Sequence, residues 1–153
     1  MNKEKILSVA AIESGTVIDH ITIGQGTKIV RLLKLAKHQM QVTLGLNLFS
    51  RSMGRKDLIK VEERIVTPDE ANQIAIFAPN TTINIIENFR VVEKFVVTIP
   101  KSVHRILRCP NPSCITNHEK TPTLFTIRHF GERVELVCNY CEKSFSHESC
   151  TTF

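Results

Sequence analysis

The sequence predicts an α+β protein in which residues 1–100 form a ferredoxin-like α/β sandwich with a mainly antiparallel sheet and residues 101–153 form a small all-β domain. Two observations predict this class. Strand-like and helix-like segments run through the first part in the order strand, helix, strand, strand, helix, strand, which is typical of ferredoxin-like folds. The second part carries two pairs of cysteines among few apolar residues, so we expect a bound metal to supply much of its stability.

The strands of the first part are predicted from alternating or short apolar runs. The clearest is QVTLGLNL, residues 41–48, where Val42, Leu44, Leu46 and Leu48 are expected on one face of a half-buried strand. The other strand-like segments are residues 5–12, 16–21, 57–66, 81–89 and 91–97.

Two segments have the apolar spacing of amphipathic helices, residues 27–37 and residues 67–79. The second also carries the signals of a helix start. Thr67 is a suitable N-cap, Pro68 follows at the first helical position, and Glu70 completes a capping box with Thr67.

The composition, 42% apolar and 23% charged, is that of an ordinary soluble protein. No apolar run is long enough to cross a membrane, and the first residues lack the apolar segment of a secretory signal. We therefore expect a cytoplasmic protein without membrane contact, in which cysteines remain reduced. Pro100 and the polar residues 101–105 are interpreted as the linker between the two domains.

Four cysteines carry the strongest chemical signal of the second part. Cys109 and Cys114 enclose four residues, and Cys138 and Cys141, which follow after 23 more, enclose two. Two such pairs can close a tetrahedral four-sulfur cage around Zn²⁺, which a reducing compartment favours over disulfides or free thiols. The prediction is thus an all-β zinc-binding domain whose ion is structural, because four sulfur ligands leave no open position. Cys150 is interpreted as a spare thiol.

The distribution of charge argues against a nucleic-acid partner for this domain. Residues 1–103 carry a net charge of +4 and residues 104–153 only +1. Four thiolates and a zinc ion would lower the latter to about −1, which offers little to a phosphate backbone. A protein partner is the better expectation. The alternatives are a zinc-ribbon module that binds nucleic acid or protein, and an enzyme that uses Asp19 and His20 as acid and base.

Polar side chains interrupt the strand-like runs of the first part. They are Asp19, His20, Lys56, Lys60, Asn84 and Lys94. They could simply line the exposed face of an antiparallel sheet. They could also form a ligand site in which lysines contact phosphates and Asp19 binds a ribose hydroxyl or an amine. Alternation puts Asn84 and Ile86 on one face, but spacing alone leaves both readings open. No phosphate-binding loop or catalytic motif is present in the sequence.

Several longer stretches occur in the order of a known family. They are GTVIDHI (15–21), GLNL (45–48), MGRKDLIK (53–60), APNTTINII (78–86), VVEK (91–94), CPN (109–111) and CNYCEKSFSH (138–147). Over nearly its whole length the sequence resembles the regulatory chains of aspartate carbamoyltransferase, an enzyme of bacterial and archaeal pyrimidine biosynthesis.

The resemblance implies a chain without catalytic activity, with an allosteric nucleotide-binding domain at residues 1–100 and a structural zinc domain at 101–153. CTP, often with UTP, would inhibit the complex, and ATP would activate it. The chain would pair with itself through its first domain and contact the catalytic chain through its zinc domain. The complete assembly would hold six catalytic and six regulatory chains.

The resemblance also implies roles for individual residues. The base would contact Val9, Ala10, Ala11 and Ile12, and the ribose would lie near Asp19 and Lys60. The phosphates would lie near Lys94 and His20, and the pocket walls would be Val17, Asn84, Ile86 and Val91. Lys56 matches a second nucleotide site that uses a metal. The zinc ligands would be Cys109, Cys114, Cys138 and Cys141, and the surface facing the catalytic chain would include Asn111, Glu142 and Lys143.

Four positions depart from residues common in the family, namely Ala10, Phe89, Ser113 and Asn139. The first two lie at the base site, where the contacts of the family are largely made by the backbone, so the resemblance implies a retained site with altered affinity. The last two lie at the expected contact with the catalytic chain and imply a change in the strength of coupling.

Overall fold

The computed structural model describes residues 11–37, 39–131 and 133–153. The described residues of the first part form five strands and two helices, and a short 3₁₀ turn over Leu35–Lys37 follows the first helix. In chain order the elements are β1 (Gly15–Ile21), α1 (Gly26–Leu32), β2 (Val42–Ser50), β3 (Gly54–Glu62), α2 (Pro68–Ile74), β4 (Thr82–Glu87) and β5 (Arg90–Val96).

The five strands form one sheet in the order β2-β3-β1-β4-β5, with every neighbouring pair antiparallel. This places β1 and β3 in the interior and adds β5 outside the four strands of a ferredoxin-like sheet. The predicted α+β class is confirmed. The strand predicted at residues 5–12 lies almost entirely outside the described residues.

The core of this sheet lies on the face that the two helices cover. Ile18 of β1 pairs with Ile59 of β3 and Ile83 of β4, and all three side chains are fully buried. Ile29 of α1 and Ile74 of α2 are equally buried in the same cluster. Burial of such side chains, at roughly 1.5–3 kcal/mol each, is the main force that holds this part together.

Helix α2 begins as the sequence predicts. The Thr67 hydroxyl accepts a hydrogen bond from the Glu70 backbone N–H, and the Glu70 carboxylate accepts one from the Thr67 backbone N–H. The helix is shorter than predicted and ends at Ile74, because the next backbone N–H groups bond three residues back rather than four.

Strand β2 departs from the simple alternation of its sequence. Val42 and Leu44 lie opposite Val61 and Ile59, on the core side. A bulge then shifts the register between Gly45 and Leu48, so that Leu48 lies opposite Lys56 on the other face. The prediction that Leu48 shares a face with Val42 and Leu44 is therefore wrong.

The second part consists of short strands in two sheets. The strands are β6 (Ser102–His104), β7 (Leu107–Arg108), β8 (Leu124–Phe130), β9 (Arg133–Cys138), β10 (Ser144–Ser146) and β11 (Thr151–Thr152). The four-stranded sheet has the strand order β10-β9-β8-β6, and the two-stranded sheet pairs β11 with β7. Strands β8 and β9 form a hairpin that turns at Gly131, and they pair from Phe125–Cys138 to Phe130–Arg133. The two parts touch where the rings of Phe77 and His147 meet edge to face, 5.7 Å apart.

Candidate functional site

The structure brings Cys109, Cys114, Cys138 and Cys141 together in the second part. Cys109 follows β7, Cys114 precedes a 3₁₀ turn, and Cys138 ends β9 with Cys141 in the turn beyond it. The four Sγ atoms all lie within 4.8 Å of one another. Strand ends and tight turns thus position four sulfur atoms that are far apart in the sequence.

The spacing of the sulfur atoms matches a tetrahedral metal site. The Sγ atoms of Cys109 and Cys141 are 3.7 Å apart, and those of Cys114 and Cys138 are 3.8 Å apart. A tetrahedron of Zn–S bonds of about 2.3 Å has edges of about 3.8 Å. All four cysteines are free thiols. The residues therefore fit a four-coordinate thiolate site.

The ionisation of these thiols also favours a cation between them. Burial raises the pKa of Cys109 and of Cys138 above the ordinary value of a thiol. Burial also acts to raise the pKa of Cys141, but the Lys143 backbone N–H, the Asn111 side chain and neighbouring thiols outweigh it and lower that pKa to about 7. Buried thiolates are costly without a counter-charge, and a divalent ion supplies one.

Several hydrogen bonds fix the loops that carry the cysteines. The Asn117 side-chain amide donates to the carbonyl oxygens of Cys109 and Asn111, at 3.0 and 2.7 Å. The Glu142 backbone N–H donates to the Cys138 carbonyl, and the Cys138 N–H donates to the Lys143 carbonyl. Sequence reasoning missed Asn117. Its position in a turn, where an amide side chain often bonds the backbone, is the signal that could have found it.

Cys150 lies outside the four-sulfur cluster. It is only 4% exposed, and burial raises its pKa to about 11. It is therefore a buried packing residue. Because its pKa is raised, little thiolate forms at neutral pH, and Cys150 is a poor nucleophile.

The second group of predicted residues lies on the face of the sheet opposite the helices, which we call the open face. Val17 of β1 lies opposite Lys60 of β3 and Asn84 of β4, and Asn84 lies opposite Lys94 of β5. Residues paired in this way point to the same face, so one row crosses four strands. At about 4.8 Å between strands the row is roughly 14 Å long.

Asp19 and His20 join this row because β1 contains a bulge. Between Ile18 and Ile21 two residues of β1 oppose a single residue of β3, and His20 has a φ of +56°. A bulge of this kind turns two consecutive side chains toward one face. The ring nitrogen Nδ1 of His20 lies 3.0 Å from the Thr82 hydroxyl. The bulge thus explains why Asp19 and His20 interrupt the apolar pattern of the strand. It also explains the contact between His20 and Thr82, which the sequence did not predict.

Charged groups on the open face influence one another. The Lys56 ammonium lies 2.7 Å from an Asp19 carboxylate oxygen. Burial lowers the pKa of Lys60, and the nearby Asp19 carboxylate acts in the opposite direction. An anion bound beside Lys60 would favour its charged form further.

The remaining predicted residues lie around the end of this row. Gly15 lies opposite Ile86 of β4, which in turn lies opposite Val91 of β5, and Val91 is 55% exposed. Ile12 is buried and Ala11 is exposed. The predicted base contacts at Val9 and Ala10 lie outside the described residues. Asn84 and Ile86 share the open face, as expected from alternation.

Comparison with known proteins gives two adjoining matches. The model of the regulatory-chain allosteric domain of aspartate carbamoyltransferase matches residues 7–98. The model of the metal-binding domain of the same regulatory chain matches residues 101–151. The chain belongs to the family of aspartate carbamoyltransferase regulatory chains.

Individual relatives agree with this assignment. The regulatory chain of Photobacterium profundum is 46% identical over 151 residues, which is 99% of this chain and 98% of the relative. That of Chromobacterium violaceum is 48% identical over 141 residues, 92% of this chain and 93% of the relative. That of Tolumonas auensis is 47% identical over 148 residues, 97% and 96% of the two chains.

Family membership confirms the resemblance seen in the sequence and the prediction of a chain that is not an enzyme, because the members are named as regulatory chains. It also confirms an allosteric domain and a metal-binding domain with a four-cysteine cluster. No helix within the described ranges is both long and apolar enough to cross a membrane.

Proposed function

We propose that this chain is the nucleotide-responsive regulatory subunit of a cytoplasmic aspartate carbamoyltransferase. It binds nucleotides on the open face of its five-stranded sheet, with CTP and UTP as inhibitors and ATP as activator of the catalytic chains. In this way it adjusts pyrimidine biosynthesis. Residues 1–100 are the allosteric domain and residues 101–153 the zinc domain.

The observation that carries this proposal is the row of polar residues across the open face. Lys60 and Lys94 flank Val17 and Asn84, and the row of roughly 14 Å suits a nucleotide laid across the strands. Lys94 and His20 are suited to the phosphates, and Asp19 and Lys60 to the ribose. The base then lies toward Ile86 and Val91, and its proposed contacts include residues 9–12. Lys56, already paired with Asp19, is suited to a second nucleotide that binds through a metal.

The four-cysteine cluster is proposed to hold one Zn²⁺ per chain. Cys109, Cys114, Cys138 and Cys141 would bind it as thiolates, and the ion would supply folding stability and no catalysis. The short strands around it leave few apolar side chains to hold the domain without metal.

The edge of the sheet at β2 supports pairing of two regulatory chains. Among the described residues this strand has a neighbouring strand on one side only, and Leu44, Leu46 and Phe49 on it are 36%, 46% and 74% exposed. An apolar edge strand is a template for pairing with another strand. We infer a homodimer through the first domain, and three such dimers joining two catalytic trimers into an assembly of six catalytic and six regulatory chains.

The loops around the zinc site are suited to the contact with the catalytic chain. Asn111 lies on the first cysteine loop, and Glu142 and Lys143 are exposed on the second. A nucleotide on the open face changes catalytic activity only if its affinity differs between two quaternary states. Typical coupling free energies are about 1–3 kcal/mol.

Calorimetry on the metal-loaded chain tests the nucleotide site. CTP and ATP should compete for the site at Lys60 and Lys94 on the first domain. Lys94→Ala and Lys60→Ala should each weaken CTP binding about ten- to a hundredfold, because a charged hydrogen bond is worth about 1.5–3 kcal/mol. Lys120→Ala, an exposed lysine of the second domain, is the matched control and should bind CTP normally. Unchanged CTP affinity in both open-face variants would mean that the nucleotide binds elsewhere.

Co-purification tests the partner. The chain should bring down a larger carbamoyltransferase chain, and a mercurial that removes zinc should release active catalytic trimers that ignore CTP and ATP. Adding zinc back should restore the large complex and its response. A stripped complex that stays whole and still responds to CTP would refute the bridging role of the zinc domain.

A further inference from the structure

A cleft of about 340 Å³ lies where the two domains meet, and its lining includes none of the predicted open-face residues and none of the four clustered cysteines. One wall is α1 with the turn after it, and the other is the end of the chain from Glu148 to Phe153. Pockets for small molecules have this size and occur preferentially at domain boundaries.

The first wall of the cleft is strongly basic. Lys28, Arg31, Lys34 and Lys37 recur at every third residue, and all four line the cleft. Glu148 is the one acidic side chain among its described lining residues. Within the described ranges none of the four basic side chains forms an ion pair. A concave surface with one sign of charge concentrates counter-ions, so the cleft attracts an anion.

Aromatic rings give the cleft a second chemical character. Phe77 and Phe153 line the cleft, and each ring makes a cation–π contact with a basic side chain of the protein. The Lys28 ammonium lies 5.8 Å from the centroid of the Phe77 ring, and the Arg108 guanidinium lies 4.9 Å from that of Phe153. Flat apolar surfaces beside several cations suit a ligand that carries both a ring and a phosphate.

We propose that this interdomain cleft binds a small phosphorylated molecule with a flat aromatic ring. The phosphate lies against Arg31 and Lys34, and the ring packs mainly on Phe153, which is 53% exposed. Phe77 is 4% exposed and contributes only the small part of its ring that lines the cleft. Because the ligand touches both walls, it holds the C-terminal strand β11 against α1 and stabilises the packing of the two domains. The site is separate from the open face, so it does not depend on the nucleotide site proposed there.

A single tryptophan can report on this cleft, because the chain contains none. In the metal-loaded full chain, Phe153→Trp should show a saturable fluorescence change on titration with phenyl phosphate. Inorganic phosphate should bind about tenfold more weakly, since it cannot use the rings. Calorimetry with phenyl phosphate on the unmodified chain repeats the measurement without the reporter.

Charge reversal then locates the site. Arg31→Glu with Lys34→Glu should weaken phenyl phosphate binding about a hundredfold. Lys101→Glu with Lys120→Glu makes the same change of net charge at exposed positions outside the cleft and should leave binding intact. Lys94→Ala should also have no effect, which separates this site from the open face. The proposal is overturned by the absence of saturable binding, by equal loss in the two double variants, or by inorganic phosphate binding as tightly as phenyl phosphate.

Discussion

The five-stranded sheet and the cysteine-rich domain are stabilised in different ways. The sheet buries a row of isoleucines under two helices, with Ile18, Ile59 and Ile83 fully inaccessible. The cysteine-rich domain has few large buried side chains, such as Phe125 and Leu136, and gathers four thiols instead. The sheet is stabilised by its own apolar core, whereas the second domain is expected to depend on a bound metal ion.

This difference also decides where each domain can carry function. Since one face of the sheet supplies the core, the opposite face can hold polar residues such as Lys60, Asn84 and Lys94. In the second domain the metal site itself shapes the surface, because the loops that hold Cys109 and Cys138 also carry Asn111 and Glu142. A change at the metal is thus expected to reach directly the surface that is proposed to face the catalytic chain.

The largest expected effect comes from breaking the metal site. Cys114→Ser should unfold the second domain, because metal binding of about 10–16 kcal/mol exceeds the stability that so small a core can supply. The sheet should stay folded. Amide NMR spectra of the full chain should lose the dispersed signals of β8 and β9 and keep those of β1 and β3.

Cys150→Ala is the matched control for this experiment, since Cys150 is buried but lies outside the sulfur cluster. It should cost roughly 1–2 kcal/mol and leave both domains folded. The buried side chains of the two domains form one continuous cluster. If Cys114→Ser unfolds the whole chain in one step, the two domains are a single cooperative unit, and the view that the sheet is stable without the second domain is wrong.

A buried carboxylate also stabilises the sheet, namely that of Asp57, which is fully inaccessible to solvent. Its carboxylate accepts hydrogen bonds from the backbone N–H groups of Gly24, Gly26 and Asn47, at 3.1, 3.0 and 3.0 Å. Asp57→Ala leaves three N–H groups without partners and should destabilise the sheet by roughly 2–4 kcal/mol. Urea unfolding, followed by the amide NMR signals of β1 and β3, measures this change in the free energy of unfolding.

Asp69→Ala provides the comparison, because Asp69 is exposed in the first turn of α2. It should cost less than about 1 kcal/mol, through the helix dipole alone. Equal effects of the two substitutions would show that the buried carboxylate adds nothing to the stability of the sheet.

Asp57 and the bulges in β1 and β2 show what the sequence alone could not predict. Element order, the capping box of Thr67 and the clustering of four cysteines follow from local patterns and were predicted. The bulges in β1 and β2 depend on pairing with β3, which alternation in one strand cannot reveal. For the same reason Asp19 and His20 could be recognised as unusual but not assigned to a face, and Asp57 could not be distinguished from a surface carboxylate.

The contact between the two domains is expected to depend weakly on pH through His147, which packs on Phe77. Burial lowers the pKa of His147, the charge of Lys28 lowers it further, and Glu148 acts in the opposite direction. Because the pKa is lower in the folded state, the unfolded chain takes up the proton first as the pH falls. The contribution of neutral His147 to the stability of the fold is therefore complete above the ordinary histidine pKa of about 6.5. It decreases as the pH falls through and below that value.

His147→Phe should remove this dependence, since a phenyl ring can keep the edge-to-face contact and does not titrate. The measurement is the urea midpoint of both proteins at about pH 7.5 and about pH 5.5, on either side of the histidine pKa. Both proteins keep the four thiols, so any acid-induced loss of metal cancels in the difference. The native chain should lose more stability than the variant between the two pH values, and the loss should be the smallest of the effects described because His147 is only partly buried. An identical loss in the two proteins would exclude His147 as the titrating group at the domain contact.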